Sequence, residues 1–213
     1  TDRYNTAAAG PCHLCLSADE RFLYTANYQS GTVSVFPLEP RGACIQLIEH
    51  TGSSINPDRQ EGPHVHHVSF IPGSHILAVV DLGLDQVVLY DQNTETGLLK
   101  RIGHMDCPAG YGPRHIAYGQ AGCAYLIHEM GNAVSLLHID GDRMILQKTW
   151  STLPEGWHGD NTGAAIRVAG RFVFASNRGH DSLAVFAIGQ DGRLELAGVY
   201  PTGGQLPRDF YVL

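Results

Sequence analysis

Apolar stretches of about five residues recur along the chain, each bounded by Gly, Pro, Asn or Asp, and they fall into sets of four. The second set is the plainest: His67–Ile71, Ile76–Val80, Gln86–Tyr90 and Leu98–Ile102, separated by Pro72-Gly-Ser74, Gly83-Leu-Asp85 and Asn93-Thr-Glu-Thr-Gly97. Short runs between turn residues predict strands joined by hairpins. No stretch sustains a 3.6-residue apolar period, so no long helix is expected. Four segments stand in register: Phe22–Asn27, Ile76–Asp81, Ala124–Glu129 and Phe172–Asn177, starting 54, 48 and 48 residues apart. A shorter signature precedes each: Gly10-Pro-Cys-His13, Gly62-Pro-His-Val-His66, Gly112-Pro-Arg-His115 and Gly163-Ala-Ala-Ile166, with Leu206-Pro-Arg-Asp209 opening another. A strand-only unit repeated every 40–50 residues predicts an all-β fold, a β-propeller of four-stranded antiparallel blades.

The expected blades lie near 11–60, 61–110, 111–160 and 161–205, with the start of another at 206–213. Inner strands are expected to begin near His13, His66, Arg114, Ala165 and Arg208. Thr1–Gly10 show no strand pattern. A closed propeller needs every blade completed, or an edge is left unpaired. The sequence therefore reads as the interior of a longer protein.

In register, polar residues collect on two rings. The first, at the start of each inner strand, holds Cys12, His64 and His66, Arg114, and Arg208. The second, at the end of each second strand, holds Asn27, Asp81, Glu129 and Asn177, followed by Tyr28, Leu82, Met130 and Arg178. The start of one antiparallel strand lies beside the end of the next, so both rings should share one mouth. Asp81 and Asn177, placed before turns, suit turn capping as well as function. Alternation puts His64 and His66 on one face and His67 on the other.

Composition narrows the chemistry. A net charge of −7 argues against nucleic acid or an anionic membrane as partner. Twelve histidines are many for so acidic a chain. Five cysteines, an odd number without a paired framework, point to a reducing, cytoplasmic setting. Cys12-His-Leu-Cys15 has CxxC spacing, but residues three apart in a strand face opposite ways. No apolar run approaches the ~20 residues of a membrane span. His64 and His66 could bind zinc with Glu129 or Asp81, or serve as general acid or base. Arg114, Arg178 and Arg208 around them oppose a dication and favour an anionic substrate, so no metal and no cofactor is expected.

With these residues in view, the sequence resembles the seven-bladed lactonase family, which includes propeller-type 6-phosphogluconolactonases and fungal carboxy-cis,cis-muconate cyclases. The matching stretches are Asn27-Tyr-Gln-Ser-Gly31, Arg59-Gln-Glu-Gly-Pro-His-Val-His66, Val80-Asp-Leu-Gly-Leu-Asp85, Gly112-Pro-Arg-His115, Ser176-Asn-Arg-Gly-His-Asp181 and Pro207-Arg208. The resemblance implies a site of a His, two Arg and a Glu, matching His66, Arg114, Arg178 and Glu129, with His64 matching a phosphogluconolactonase histidine. It implies hydrolysis of a small anionic sugar lactone such as 6-phosphogluconolactone. On that reading His66 is the general base, with Glu129 orienting it or sharing its proton, and Arg114 stabilises the oxyanion. His64, Arg178, Arg208 and Asp81 would bind substrate. Two departures stand out: only about four blades are present, and Gly163-Ala-Ala carries no polar ring residue. Alternatives are a lactonising cyclase, a metal-dependent propeller lactonase and a non-catalytic interaction platform, the last expected to show an apolar mouth. Oligomeric state stays open.

Overall fold

Alternation and turn chemistry resolve into strands throughout the computed structural model, which describes residues 5–120 and 122–213. Residues 1–4 of the strandless opening segment lie outside the described residues. The chain divides into two units, one ending at Ala109 and one running from Gly110 to Leu213.

The first unit holds two four-stranded antiparallel meanders. One comprises β1 (Pro11–Leu16), β2 (Phe22–Asn27), β3 (Thr32–Pro37) and β4 (Gln46–Glu49). The other comprises β5 (Val65–Phe70), β6 (Ile76–Asp81), β7 (Gln86–Gln92) and β8 (Leu99–Asp106). The second unit repeats the scheme. β9 (Pro113–Tyr118), β10 (Cys123–His128), β11 (Ala133–Asp140) and β12 (Arg143–Ser151) form one sheet. β13 (Thr162–Ala169), β14 (Phe172–Arg178), β15 (Ser182–Ile188) and β16 (Leu194–Pro201) form the next. No helix among the described residues is long and apolar enough to cross a membrane.

Middle strands such as β6 (Ile-Leu-Ala-Val-Val-Asp) are buried along almost their whole length, as expected where both faces are covered. Outer strands such as β4 alternate between half-buried and exposed positions. Within the first unit the two sheets pack through Tyr24, Val33, Val35, Val68, Leu77 and Val79. Within the second, Tyr125, Ile127, Val134, Ile166, Val173 and Phe186 do the same.

A polar clip ties the sheets together inside each unit. The Tyr24 hydroxyl donates to the Gly97 carbonyl at 2.9 Å and accepts from Gln92 Nε2 at 2.8 Å. Tyr125, at the equivalent place in β10, donates to Gly192 at 2.9 Å. Both glycines adopt a positive φ, and a Cβ would strike Phe22 at Gly97 and Cys123 at Gly192. Only glycine fits these turns.

Every first strand carries an irregularity at the same point. The ladder skips between Pro11 and His13, Val65 and His67, and Gly163 and Ile166; opposite Ile127 and His128 it skips from His115 to Pro113. Cys12, His66, Arg114 and the Ala164-Ala165 pair are thus bulged out of the pairing. A bulge re-aims a side chain that the ladder would otherwise fix.

Strand pairing corrects the sequence register in one set. Pro11, Val65 and Gly163 face Asn27, Asp81 and Asn177, whereas Pro113 faces His128. His128, not Glu129, therefore ends the second strand, and Glu129 matches Tyr28, Leu82 and Arg178 in place of Met130. The hairpins agree: Asn27 pairs with Thr32, Asp81 with Gln86, His128 with Ala133 and Asn177 with Ser182. Spacing misled because His128 fills the same slot as Asn27 by different chemistry. Asn27 Nδ2 reaches Ser34 Oγ at 2.8 Å, and His128 Nε2 reaches Ser135 Oγ at 2.7 Å.

The expected opening strand at 206–213 pairs with no strand among the described residues, since no second strand lies beside it. Leu206 N bonds Asp181 Oδ1 at 2.8 Å, Asp209 pairs with Arg167 at 2.6 Å, and the Arg167 guanidinium lies 5.8 Å from the Phe210 ring centre.

Candidate active site

In the second unit the bulge of β9 and the ends of β10 and β14 bring three charges together. Arg114 Nε and Arg178 Nη2 each lie 3.0 Å from the same oxygen, Oε2 of Glu129. All three side chains are largely withdrawn from water, at 3%, 15% and 7% exposure for Arg114, Arg178 and Glu129. Each arginine also reaches a backbone carbonyl: Arg114 Nη1 lies 2.7 Å from Ala164 O, and Arg178 Nη2 lies 3.1 Å from Gly163 O. The small residues of β13 are what allow this. A Cβ at Gly163 would stand 2.6 Å from the His128 carbonyl. Glu129 is fixed through its backbone, its N donating to Gly112 O at 2.7 Å and its O accepting from Gly163 N at 2.8 Å. Two guanidiniums on one carboxylate leave a net positive charge of one. A buried cluster of that sign suits an anion or a developing oxyanion.

In the first unit the bulge of β5 presents histidines against Tyr28. The His64 ring stacks on Tyr28 at 4.5 Å and 16°, and the His66 ring meets it edge-on at 5.5 Å and 79°. His64 and His66 thus share one aromatic partner, while His67 packs against His13 at 3.9 Å. His64 Nδ1 lies 3.1 Å from the Tyr28 carbonyl, which can only accept, so this nitrogen carries a proton. Its Nε2 lies 3.3 Å from Glu61. Glu61 is held below the usual carboxylate range by its own backbone N–H and by His64.

The remaining sequence candidates separate from these clusters. Asp81, expected at the substrate, is fully buried. Its Oδ1 accepts from His64 N at 2.8 Å, Gly83 N at 3.0 Å and Leu84 N at 3.2 Å. Its Oδ2 lies 2.7 Å from His50 Nδ1. With its acceptor sites so engaged, Asp81 builds the turn and places His64 rather than facing a ligand. Arg208 is exposed on the irregular 206–213 segment and takes no part in the Glu129 cluster.

Three contributors escaped the sequence reading. Tyr28 was legible only as the residue after a strand end. His128 was hidden by the register slip. His50 carries no local signal at all, yet it links Asp81 to the Tyr90 hydroxyl at 2.9 Å. Burial raises the Tyr90 phenol to about 12, which keeps it a neutral hydrogen-bonding partner. Cys15 packs against the core of the first unit, and burial pushes its thiol up to about 12; Cys12 is exposed. The two do not act together.

Four-stranded antiparallel sheets repeated on one plan are features of a β-propeller, and comparison with known proteins agrees. Residues 1–212 match the family model "Lactonase, 7-bladed beta-propeller", and the chain belongs to that family. It is 38% identical over 210 residues to the 6-phosphogluconolactonase of Bacillus subtilis, covering 94% of this chain and 59% of that protein. A crystal structure from Lactobacillus plantarum superposes with a TM-score of 0.88 at 32% identity, over 93% of this chain and 60% of that one. The periplasmic gluconolactonase of Pseudomonas aeruginosa superposes with a TM-score of 0.89 at 30% identity, over 97% and 61%. The chain spans about three fifths of the length of the curated relatives it matches.

Proposed function

We propose that the protein hydrolyses an anionic sugar lactone, with 6-phosphogluconolactone as substrate and no metal or cofactor in the reaction. The observation that carries this reading is the Glu129 carboxylate held 3.0 Å from both Arg114 and Arg178 in a buried, net cationic cluster. Lactone opening needs an activated water, a donor for the tetrahedral oxyanion and a grip on the anionic end. Arg114, the more buried guanidinium, is assigned to the oxyanion, and Arg178 to the phosphate or carboxylate. Glu129 sets the position of both arginines. His66 is assigned as general base, held against Tyr28, and His64 as a further anion donor. The Bacillus relative, a 6-phosphogluconolactonase, supports the phosphorylated substrate. Each sheet is read as one blade, near 11–60, 61–110, 111–160 and 161–205, with 206–213 opening the next. A cytoplasmic setting belongs to the same proposal.

The test is the hydrolysis rate of the full-length protein on 6-phosphogluconolactone and on gluconolactone. Arg114→Gln should lower kcat about 10²-fold on both, the usual cost of an oxyanion donor. Arg178→Gln should raise KM for the phosphorylated lactone far more than for the unphosphorylated one. His66→Ala should abolish turnover. Retention of the parent rate by His66→Ala or Arg114→Gln would sink the assignment, and turnover of a carboxymuconate in place of either lactone would redirect it.

A further inference from the structure

We propose that Trp157 and His180 form an aromatic wall that receives the apolar face of the substrate's ring beside Arg178, making Trp157 a specificity-determining residue. This inference rests on the lactone reading above. Trp157 sits in the Gly-rich segment 153–161 between β12 and β13 and is 39% exposed. Its ring meets His180 edge-on, with centroids 4.5 Å apart at 86°. His180 is itself braced, its Nδ1 lying 2.7 Å from Ser182 Oγ and its backbone N donating to Asn161 Oδ1 at 2.9 Å.

The loop is mounted on the residue next to Arg178. Asn177, fully buried, grips both ends of the segment. Its Nδ2 donates to Thr152 O at 2.9 Å, and its Oδ1 accepts from Thr152 Oγ1 at 2.7 Å and Asn161 Nδ2 at 3.4 Å. The far end packs on the turn so closely that a Cβ at Gly179 would stand 2.1 Å from the Asp160 carbonyl. An exposed tryptophan on a long loop is common and explains nothing by itself. Here the indole packs on His180, two residues along the turn from Arg178, the guanidinium assigned above to the substrate's anionic end.

That pairing selects a ligand with an anionic end and an apolar ring face. A sugar lactone has both, because its ring C–H groups shed water favourably onto an indole. Inorganic phosphate has only the first.

Isothermal titration of the full-length protein with glucose 6-phosphate, glucose and inorganic phosphate tests this directly, because the two sugars keep the pyranose ring and offer no lactone bond to hydrolyse. Trp157→Ala should weaken both sugars about tenfold, an effect of roughly 1.4 kcal/mol, and leave phosphate unchanged. Trp157→Tyr, which keeps a ring face, should stay within about threefold of the parent. Arg178→Gln should show the opposite pattern, losing phosphate and glucose 6-phosphate more than glucose. If Trp157→Ala binds the sugars as tightly as the parent, or loses phosphate to the same degree, the wall is refuted while the lactone reading stands. If Tyr and Ala variants are equally impaired, a structural role replaces the wall. A parent protein that binds none of the three overturns the lactone reading, and the wall with it.

Discussion

Replacing Glu129 by Gln removes one charge from a buried triad while keeping its shape, so it isolates the electrostatic content of the cluster. Each guanidinium stands 3.0 Å from Oε2. At charge-centre separations near 4 Å, each attraction is about 4 kcal/mol in an effective dielectric of 20. Desolvation offsets much of that, but it is a cost the arginines go on bearing once the carboxylate is gone. Arg114 is 3% exposed and cannot turn to solvent; Arg178, at 15%, can relax only in part. Breaking a buried pair typically destabilises by about 3–5 kcal/mol, and partial relaxation of Arg178 places this case near 3. At roughly 2–4 °C per kcal/mol, that is a fall in Tm of roughly 6–12 °C. The assay is thermal and urea denaturation of the parent, Glu129→Gln, Arg178→Gln and the double variant. The double variant should be more stable than Glu129→Gln alone, because one of two unneutralised cations has gone, giving a coupling of about 1–3 kcal/mol. A Glu129→Gln protein melting within about 2 °C of the parent, with coupling below about 0.5 kcal/mol, would refute the reasoning.

Other expectations follow from the frame. Tyr24→Phe should cost more than Tyr125→Phe, about 2 against 1 kcal/mol in urea denaturation, because Tyr24 also accepts from Gln92. Gly97→Ala and Gly73→Ala share a positive φ, 74° and 75°. Only the first drives a Cβ into Phe22, so it should destabilise by several kcal/mol and the second by about 1. Alkaline pH should weaken the fold: Cys15, Tyr90 and Tyr125, raised to about 12 by burial, stay neutral when folded but ionise earlier when unfolded. Their stabilisation is complete below about pH 9 and is lost as pH rises toward 12, which urea midpoints would register as little change between pH 8 and 9 and a clear fall by pH 10.

The strands were legible because turn residues bracket short apolar runs; β6 begins at Ile76 as read, and β7 at Gln86. The one slipped register came from a slot that accepts any side chain able to bond inward, Asn27, Asp81 and His128 among them. A count of residues cannot distinguish His128 from its acidic neighbour there. Arg114, Glu129 and Arg178 were legible as candidates, but their convergence on one oxygen depends on the β9 bulge, which leaves no mark in an alternation pattern. His50 and Trp157 lie in connecting segments, where nothing periodic flags a side chain.

The skipped position in each first strand gives the architecture an unusual freedom. The residue there holds no rung of the ladder, so Cys12, His66, Arg114 and Ala164 occupy matching places in four sheets built on one plan. Exchanging one for another changes the reactive group while every rung of the ladder stays in place. A gene copied blade by blade could in this way try new chemistry one letter at a time.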